Sequence, residues 1–456
     1  MHTKRQEHQL FLHRIPEVPD AQCAWLLLLY CAGPRVSHVL RNIPPSMSKL
    51  FAQFHNEEIL QCLTTLLASE RLPKQSKEIA QLPFREGGLG LRDAVRLAPA
   101  AYWASWADCL SQIDKRMPQV CETLLHELDQ GAASSSVSVR EVTEAASLLK
   151  EEGWTSPEWS KFRDPDFKPP QSDENDDKEP SDWKHGWQYH ACIARDTHFA
   201  MHSHLPTFSS DLRALRLSQK GPCASRHFTV VPTTAETSFS SSQFHVLLRV
   251  RLHLPLHFED KQCKCGQLLD SRGFHRSACA RIGLLKLRGT PAEICAARIC
   301  REAGARVREN QLLRDLNLNV TANDERRLEV IANGLPLWGG KQVAIDTTVI
   351  SALTGKGQRR GHQAGQALKE AEAVKRRTYS EFVDAERCHL LVMAFEVAGR
   401  WNAETVTFLR ALARYRASAC PRLLRRSVQR LFFQWWSGML VCTVQRAYAV
   451  NLLGEM

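Results

Sequence analysis

The sequence predicts an α+β multidomain protein: a helical N-terminal region, a small Cys/His module, and a C-terminal domain in which helices alternate with strands. Three observations predict it. The chain has 456 residues, more than one ordinary core accommodates, so two or three domains are expected. Apolar positions recur at helical spacing in 21–32, 48–67 and 92–112. Over 291–450 the pattern changes to helix, strand, strand, helix, strand, helix.

Residues 1–125 form the helical region. Gly33-Pro34 and Pro44-Pro45 break its first two segments, and Leu82 to Leu91 is a glycine turn before the third. Those glycines could cradle a phosphate. No strand precedes them and no Lys-Ser/Thr follows, so a structural turn is the better reading. Residues 126–185 read as an acidic and polar linker, partly disordered, from Ala132-Ala133-Ser134-Ser135-Ser136 and the Pro-flanked acidic run 169–180. Residues 186–260 form a mixed connecting region with a Ser/Thr-rich loop at 233–242. Within it Phe244 to Leu256 alternates basic and apolar residues, including Arg249, Arg251 and His253, which suits a strand with one basic face. Residues 261–290 hold a Cys/His cluster. Residues 291–456 carry a helix from Pro291 to Val307, strands at 328–332 and 342–350, a helix at 363–379, a strand at 388–398, and basic helices from Glu404 onward.

Lysine and arginine number 60 against 49 acids, a formal charge of +11, which favours polyanionic partners, nucleic acid above all. A basic surface kept only for solubility gives the same total. The polar stretch Met1 to His8 lacks the apolar core of a signal peptide, and the 15 cysteines are scattered, so reduced thiols in nucleus or cytoplasm fit better than secreted disulfides. The longest apolar run, 23–33, is shorter than the ~20 residues a membrane helix needs, so no membrane partner is expected.

Cys263-Lys264-Cys265-Gly266 is followed by His275 and Cys279. Three sulfurs and one imidazole suit a closed, tetrahedral, structural Zn²⁺ site. His275 and Cys279 stand one helical turn apart. Lys261, Lys264, Arg272, Arg276 and Arg281 surround the cluster and suit phosphate contacts. Unpaired thiols on a loop are the plain alternative. A second group, His185, His190, Cys192, His198, His202 and His204, shows no clear pairing of ligands and reads as surface or interfacial histidines.

Further on, Arg326-Arg327-Leu328-Glu329-Val330 and Ala344-Ile345-Asp346-Thr347-Thr348 each place an acid inside an apolar strand. Such a charge is costly to bury unless paired or metal-bound. Two carboxylates on neighbouring strands can share one Mg²⁺, which activates a water and stabilises a departing oxygen. Lys375 on the next helix would orient that water, with Lys369 in reserve, and Glu293 is a further candidate ligand. The alternative pairs Glu329 and Asp346 with Arg326, Arg327 or Lys341. In the tail, Arg414, Arg416, Arg422, Arg425, Arg426 and Arg430 precede Phe432, Phe433, Trp435 and Trp436. The aromatics are expected to dock on the core and some of the arginines to meet DNA.

The order of these features resembles non-LTR retrotransposons that carry a restriction-like endonuclease behind their reverse transcriptase. Leu82 to Leu91 with Ala100-Ala101-Tyr102-Trp103-Ala104-Ser105-Trp106 resembles the stretch after the polymerase thumb. Cys263, Cys265, His275 and Cys279 resemble the Cys/His motif. Arg327-Leu328-Glu329-Val330, Asp346-Thr347-Thr348 and Lys375-Arg376-Arg377-Thr378-Tyr379 resemble the strands and helix of a PD-(D/E)xK nuclease. The resemblance implies a thumb-like remnant at 1–125 and an α/β/α restriction-endonuclease-like domain at 291–456. It implies Glu329, Asp346 and Lys375 as catalytic residues, structural Zn²⁺ and catalytic Mg²⁺. DNA, and RNA as well, would be held by Lys264, Arg272, Arg276, Arg326, Arg327, Arg376 and Arg377. Glu329 stands where the family has Asp, Leu328 where it has Pro, and Thr348 where simpler enzymes carry Lys. No aromatic-x-Asp-Asp strand occurs, so no polymerase activity is expected. A catalytically dead binding relic and an RNase H-like nuclease, the latter needing Asp384 or Glu396 beside Asp346, remain the alternatives.

Overall fold

The computed structural model describes residues 2–169, 186–256, 262–279, 284–316, 318–383 and 385–454. The chain divides into two units: 1–17, 27–86 and 90–207 form the first, and 18–26, 87–89 and 208–456 the second. The expected boundaries at 125, 185 and 260 coincide with neither.

The first unit is helical: α1 (His2–Arg14), α3 (Ser37–Asn42), α4 (Pro45–Leu66), α5 (Lys74–Gln81), α6 (Ala94–Arg116), α7 (Pro118–Gln130), α8 (Val137–Glu151) and α9 (Trp187–His198), while α2 (Ala21–Leu26) belongs to the second unit. Pro44-Pro45 opens α4 as expected, because a proline in the first turn forfeits no hydrogen bond. Gly33-Pro34 does not break its segment. Pro34 falls at the start of a tight turn, and helical backbone runs on to Asn42. The stretch Ala21–Asn42 is long and apolar enough to cross a membrane by length and composition alone. Ala24, Trp25 and Leu28 within it are fully buried in protein.

Helix α6 organises this unit. Asp93 caps it, accepting from the Val95 amide at 2.9 Å, and Asn56 donates to Asp93 at 2.7 Å. Trp103, fully buried, is ringed by Trp154, Trp159, Phe162 and Trp187 at centroid distances of 5.7 to 6.3 Å. Residues 126–169 are therefore not a linker. Their polar composition hides Val139, Val142, Leu149 and Phe162, which bury in the Trp103 core. The acidic run at 170–180 and His185 lie outside the described residues.

In the second unit, Phe244 to Leu256 is not a strand. Ser240 and Gln243 form a capping box that starts α11 (Ser241–Arg251). Its arginines turn inward: Arg251 donates to the carbonyls of Gly87 (3.2 Å), Gln219 (3.0 Å) and Ala224 (3.1 Å), and Arg249 to that of Pro255. Basic and apolar residues are both buried there, which mimics a two-sided strand in the sequence. Gly87, at φ +72°, offers its carbonyl to Arg216 as well, so the glycine turn is structural.

A mixed sheet follows, from β1 (Arg306–Leu312), β2 (Arg327–Asn333), β3 (Gln342–Ile350) and β4 (Cys388–Glu396), in that order, with β3 and β4 parallel and the other pairs antiparallel. Strand β1 replaces the expected end of the preceding helix, α13 (Leu284–Glu302). It is a polar edge strand, with Asn310 in the left-handed region at φ 54°. Helix α14 (Gln366–Thr378) makes the parallel crossover and lays Leu368 on Ile331, Ala344, Leu390 and Val392. Helices α15 (Ala403–Ser418) and α16 (Arg425–Leu453) close the unit. Trp436 is fully buried, and the indoles of Trp435 and Trp436 donate to Glu302 Oε2 at 3.1 and 2.8 Å, so these aromatics dock as expected. Phe432 and Phe433 lie under Arg416 and Arg410.

Candidate metal and carboxylate centres

The Cys/His cluster begins in a small hairpin. Gln262 bridges Leu268, and Gly266, at φ +86°, donates to the Cys263 carbonyl at 2.8 Å. A short helix, α12 (Phe274–Ala278), then brings His275 and Cys279 back. The ligand atoms of Cys263, Cys265, His275 and Cys279 all lie within 4.8 Å of one another. Cys263 and Cys279 sulfurs are 3.7 Å apart, and His275 Nε2 stands 3.3 Å from the Cys265 sulfur. The outer nitrogen, Nδ1, faces the Gly355 carbonyl at 3.1 Å, which leaves Nε2 for a metal. The Cys265 thiol is lowered to about 7, first by the Gln267 amide, so a thiolate is accessible at neutral pH. Asp270 accepts from the amides of Arg272, Phe274 and His275 and so fixes the start of α12. Four soft or borderline donors in one closed cluster fit a tetrahedral metal such as zinc.

Of the second histidine group, His204 Nδ1 faces Glu78 at 3.0 Å, and the His198 and His202 rings stack loosely at 4.7 Å. Among the described residues the Cys/His cluster is the one group of three or more candidate ligands that converges, so His190, Cys192, His198, His202 and His204 are not assembled as a site.

The acids of the C-terminal domain are set by strand register. Val330 pairs with Ile345, so the antiparallel ladder brings Glu329 opposite Asp346, on the same face. Glu329 Oε2 accepts from the Thr347 amide at 2.6 Å. Asp346 is fully buried, and Lys375 Nζ reaches its two oxygens at 3.0 and 2.8 Å. Tyr379 OH, held by the Arg327 carbonyl at 3.1 Å, lies 3.3 Å from Asp346. Burial raises Glu329 to about 8, helped by the charges of Asp346 and of Glu293 on α13, with Lys375 opposing. Glu293 is thus near enough for its charge to act on Glu329. Lys369 is exposed, so Lys375 is the lysine of the site.

The ion pair that Asp346 makes is with Lys375, not with Arg326, Arg327 or Lys341. Arg326 pairs with Asp324 and Glu381, Arg327 donates to the Asn310 carbonyl, and Lys341 to the Ala385 carbonyl. Arg376 is held by Glu372 and Glu404. Arg276 is half-buried against Gly454. Of the expected nucleic-acid contacts, Lys264, Arg272, Arg327, Arg376 and Arg377 are exposed. Glu396 pairs with Ile350 in the β3–β4 ladder, about 13 Å along the strand from Asp346 at ~3.3 Å per residue. It is raised to about 7 by burial and faces Arg400 at 3.6 Å. The RNase H-like grouping thus lacks Glu396. Asp384, Lys261 and Arg281 lie outside the described residues.

Compared with known proteins, the chain matches no family model and no curated protein.

Proposed function

We propose that the C-terminal domain is a metal-dependent DNA endonuclease of the restriction-like kind carried by non-LTR retrotransposons. The rest of the chain would be derived from the region behind a reverse transcriptase, without polymerase activity. The observation that carries this reading is Asp346 facing Glu329 across a strand pair, with the Lys375 amine within 3.0 Å. The mixed sheet with α13 and α14 packed against it supports an α/β/α nuclease architecture.

Burial and two neighbouring carboxylates raise Glu329 to about 8, and such crowded, desolvated acids favour a hard cation. Asp346 and Glu329, with Glu293 beside them, would hold Mg²⁺, which when bound acidifies a water and stabilises the oxygen that leaves phosphorus. Lys375 neutralises Asp346 and places an ammonium where a scissile phosphate would need one. Tyr379 meets the same Asp346 oxygen as Lys375, and the Thr347 amide fixes Glu329. The zinc module and the exposed cations Lys264, Arg272, Arg327 and Arg377 would hold DNA, or RNA, beside the centre.

A plasmid-nicking assay with Mg²⁺ tests this. Wild-type protein should nick supercoiled DNA, and Asp346→Ala or chelation should stop it. The Lys375–Asp346 ion pair favours one further reading, a binding relic whose key carboxylate is already neutralised. Neither form nicking while both bind DNA would select it.

A further inference from the structure

Between β3 and α14 the chain forms a short ribbon that the sequence did not announce. Leu353 bridges Arg359, the Arg360 amide donates to the Ala352 carbonyl at 2.9 Å, and the Thr354 amide to that of Gln358 at 2.7 Å. Thr354 Oγ1 accepts from the amides of Lys356 and Gln358, both at 3.3 Å, which ties the turn from inside. Two glycines of the ribbon lie against α12, and Gly357 takes φ +74° in its turn. A Cβ on Gly355 would stand 3.4 Å from His275 Nδ1, and one on Gly357 would stand 3.4 Å from Phe274. The Gly355 carbonyl is the partner of His275, so the ribbon and the metal-binding module are joined there. On its other strand, the Arg359 amide donates to Asp211 at 2.9 Å.

Lys356, Arg359 and Arg360 are exposed at this turn, and so are Lys264 and Arg272 on the adjoining module. No acid occurs between residues 351 and 369. Among the described residues none of the five cations forms an ion pair, in contrast to Arg326 and Arg376. Thr354, Gly355, Lys356 and Gln358 face Cys265, Gln267 and His275 across an open groove. The ribbon continues directly from the strand that carries Asp346. Ala352 is six residues beyond Asp346, at most about 20 Å of extended chain.

We propose that the ribbon 352–360, with Lys264 and Arg272, is a clamp for the phosphate backbone of duplex DNA, held in position by the metal-bound Cys/His module through the hydrogen bond between His275 and Gly355. It rests on the nuclease reading only in taking DNA as the partner. Each phosphate neutralised releases counterions, so binding through the clamp is steeply salt-dependent.

The test uses the full-length chain carrying Asp346→Ala, so that binding is measured without cleavage. Anisotropy of a short labelled duplex is followed across a salt series. Adding Lys356→Ala, Arg359→Ala and Arg360→Ala should weaken binding at least tenfold and reduce the salt slope by about 0.9 for each phosphate that is no longer neutralised. Metal content and thermal midpoint should not change. Lys356→Arg, Arg359→Lys and Arg360→Lys should restore binding. Stripping zinc should weaken the parent chain more than the triple-alanine chain, because the two changes act on one unit. An unchanged salt slope in the triple-alanine chain would overturn the clamp. Equal zinc effects in both chains would overturn its coupling to the module, and tighter binding of single-stranded RNA than of the duplex would overturn the DNA assignment. Failure of plasmid nicking with the clamp's binding intact would count against catalysis alone.

Discussion

At the Cys/His cluster, four donors come together from a hairpin and one helical turn, and an outer hydrogen bond from His275 to Gly355 aims the imidazole. At the carboxylate centre, Glu329 and Asp346 are forced together by strand register, with Glu293 close enough to raise Glu329 further. The first cluster would act as a fastener, since a metal held there would join the hairpin to α12. The second is strained electrostatically and is held in place by the sheet. Removing a ligand from the first should therefore destabilise the chain, whereas removing the Glu329 charge from the second should stabilise it.

The largest effect is expected at the fastener. Structural zinc in small modules contributes on the order of 10 kcal/mol of binding energy to folding. Wild-type protein should carry one zinc per chain, and Cys279→Ser should abolish it and release the module, seen by metal analysis and proteolysis. Retention of stoichiometric metal in that variant would break the comparison. Next comes Lys375→Ala, which strands a fully buried Asp346 and should cost about 3–5 kcal/mol. Adding Asp346→Asn to it should return part of that loss in a denaturant titration.

Glu329→Gln should act in the other direction. With a folded value near 8 against an ordinary value of 4.5, the folded protein binds the extra proton across that window, so stability falls as pH rises through it. Without divalent cation, Glu329→Gln should match wild type near pH 4, where both are neutral, and exceed it near pH 9 by an amount on the order of a few kcal/mol. A difference that does not grow with pH would refute the account of a strained centre. The smallest effect is expected for Lys369→Ala on the exposed side of α14, within about 0.5 kcal/mol, with nicking intact.

The fastener was legible because its ligands are close in sequence, so spacing alone restricts them. Asp346 was legible from its β-branched neighbours, whereas its alignment with Glu329 needed the ladder. Lys375 and Lys369 were both plausible until the helix was placed against β3. Other features were hidden by competing signals. Arg249 and Arg251 imitate an exposed basic strand because they bind carbonyls inside the unit. Residues 126–169 look like a spacer because a few aromatics among many polar residues do their packing. Strand β1 is polar on both sides, so it carries no apolar alternation to detect.

That polar edge also bears on how copies of the chain meet. Strand β1 is one of the two outermost described strands, β4 being the other, and it has Arg306, Arg308 and Glu309 exposed and Asn310 twisted out of the extended conformation. A strand arriving from a second molecule would find charged side chains and an interrupted row of amides instead of a flat template. At this margin the sheet can thus stay open without inviting strand addition from another copy.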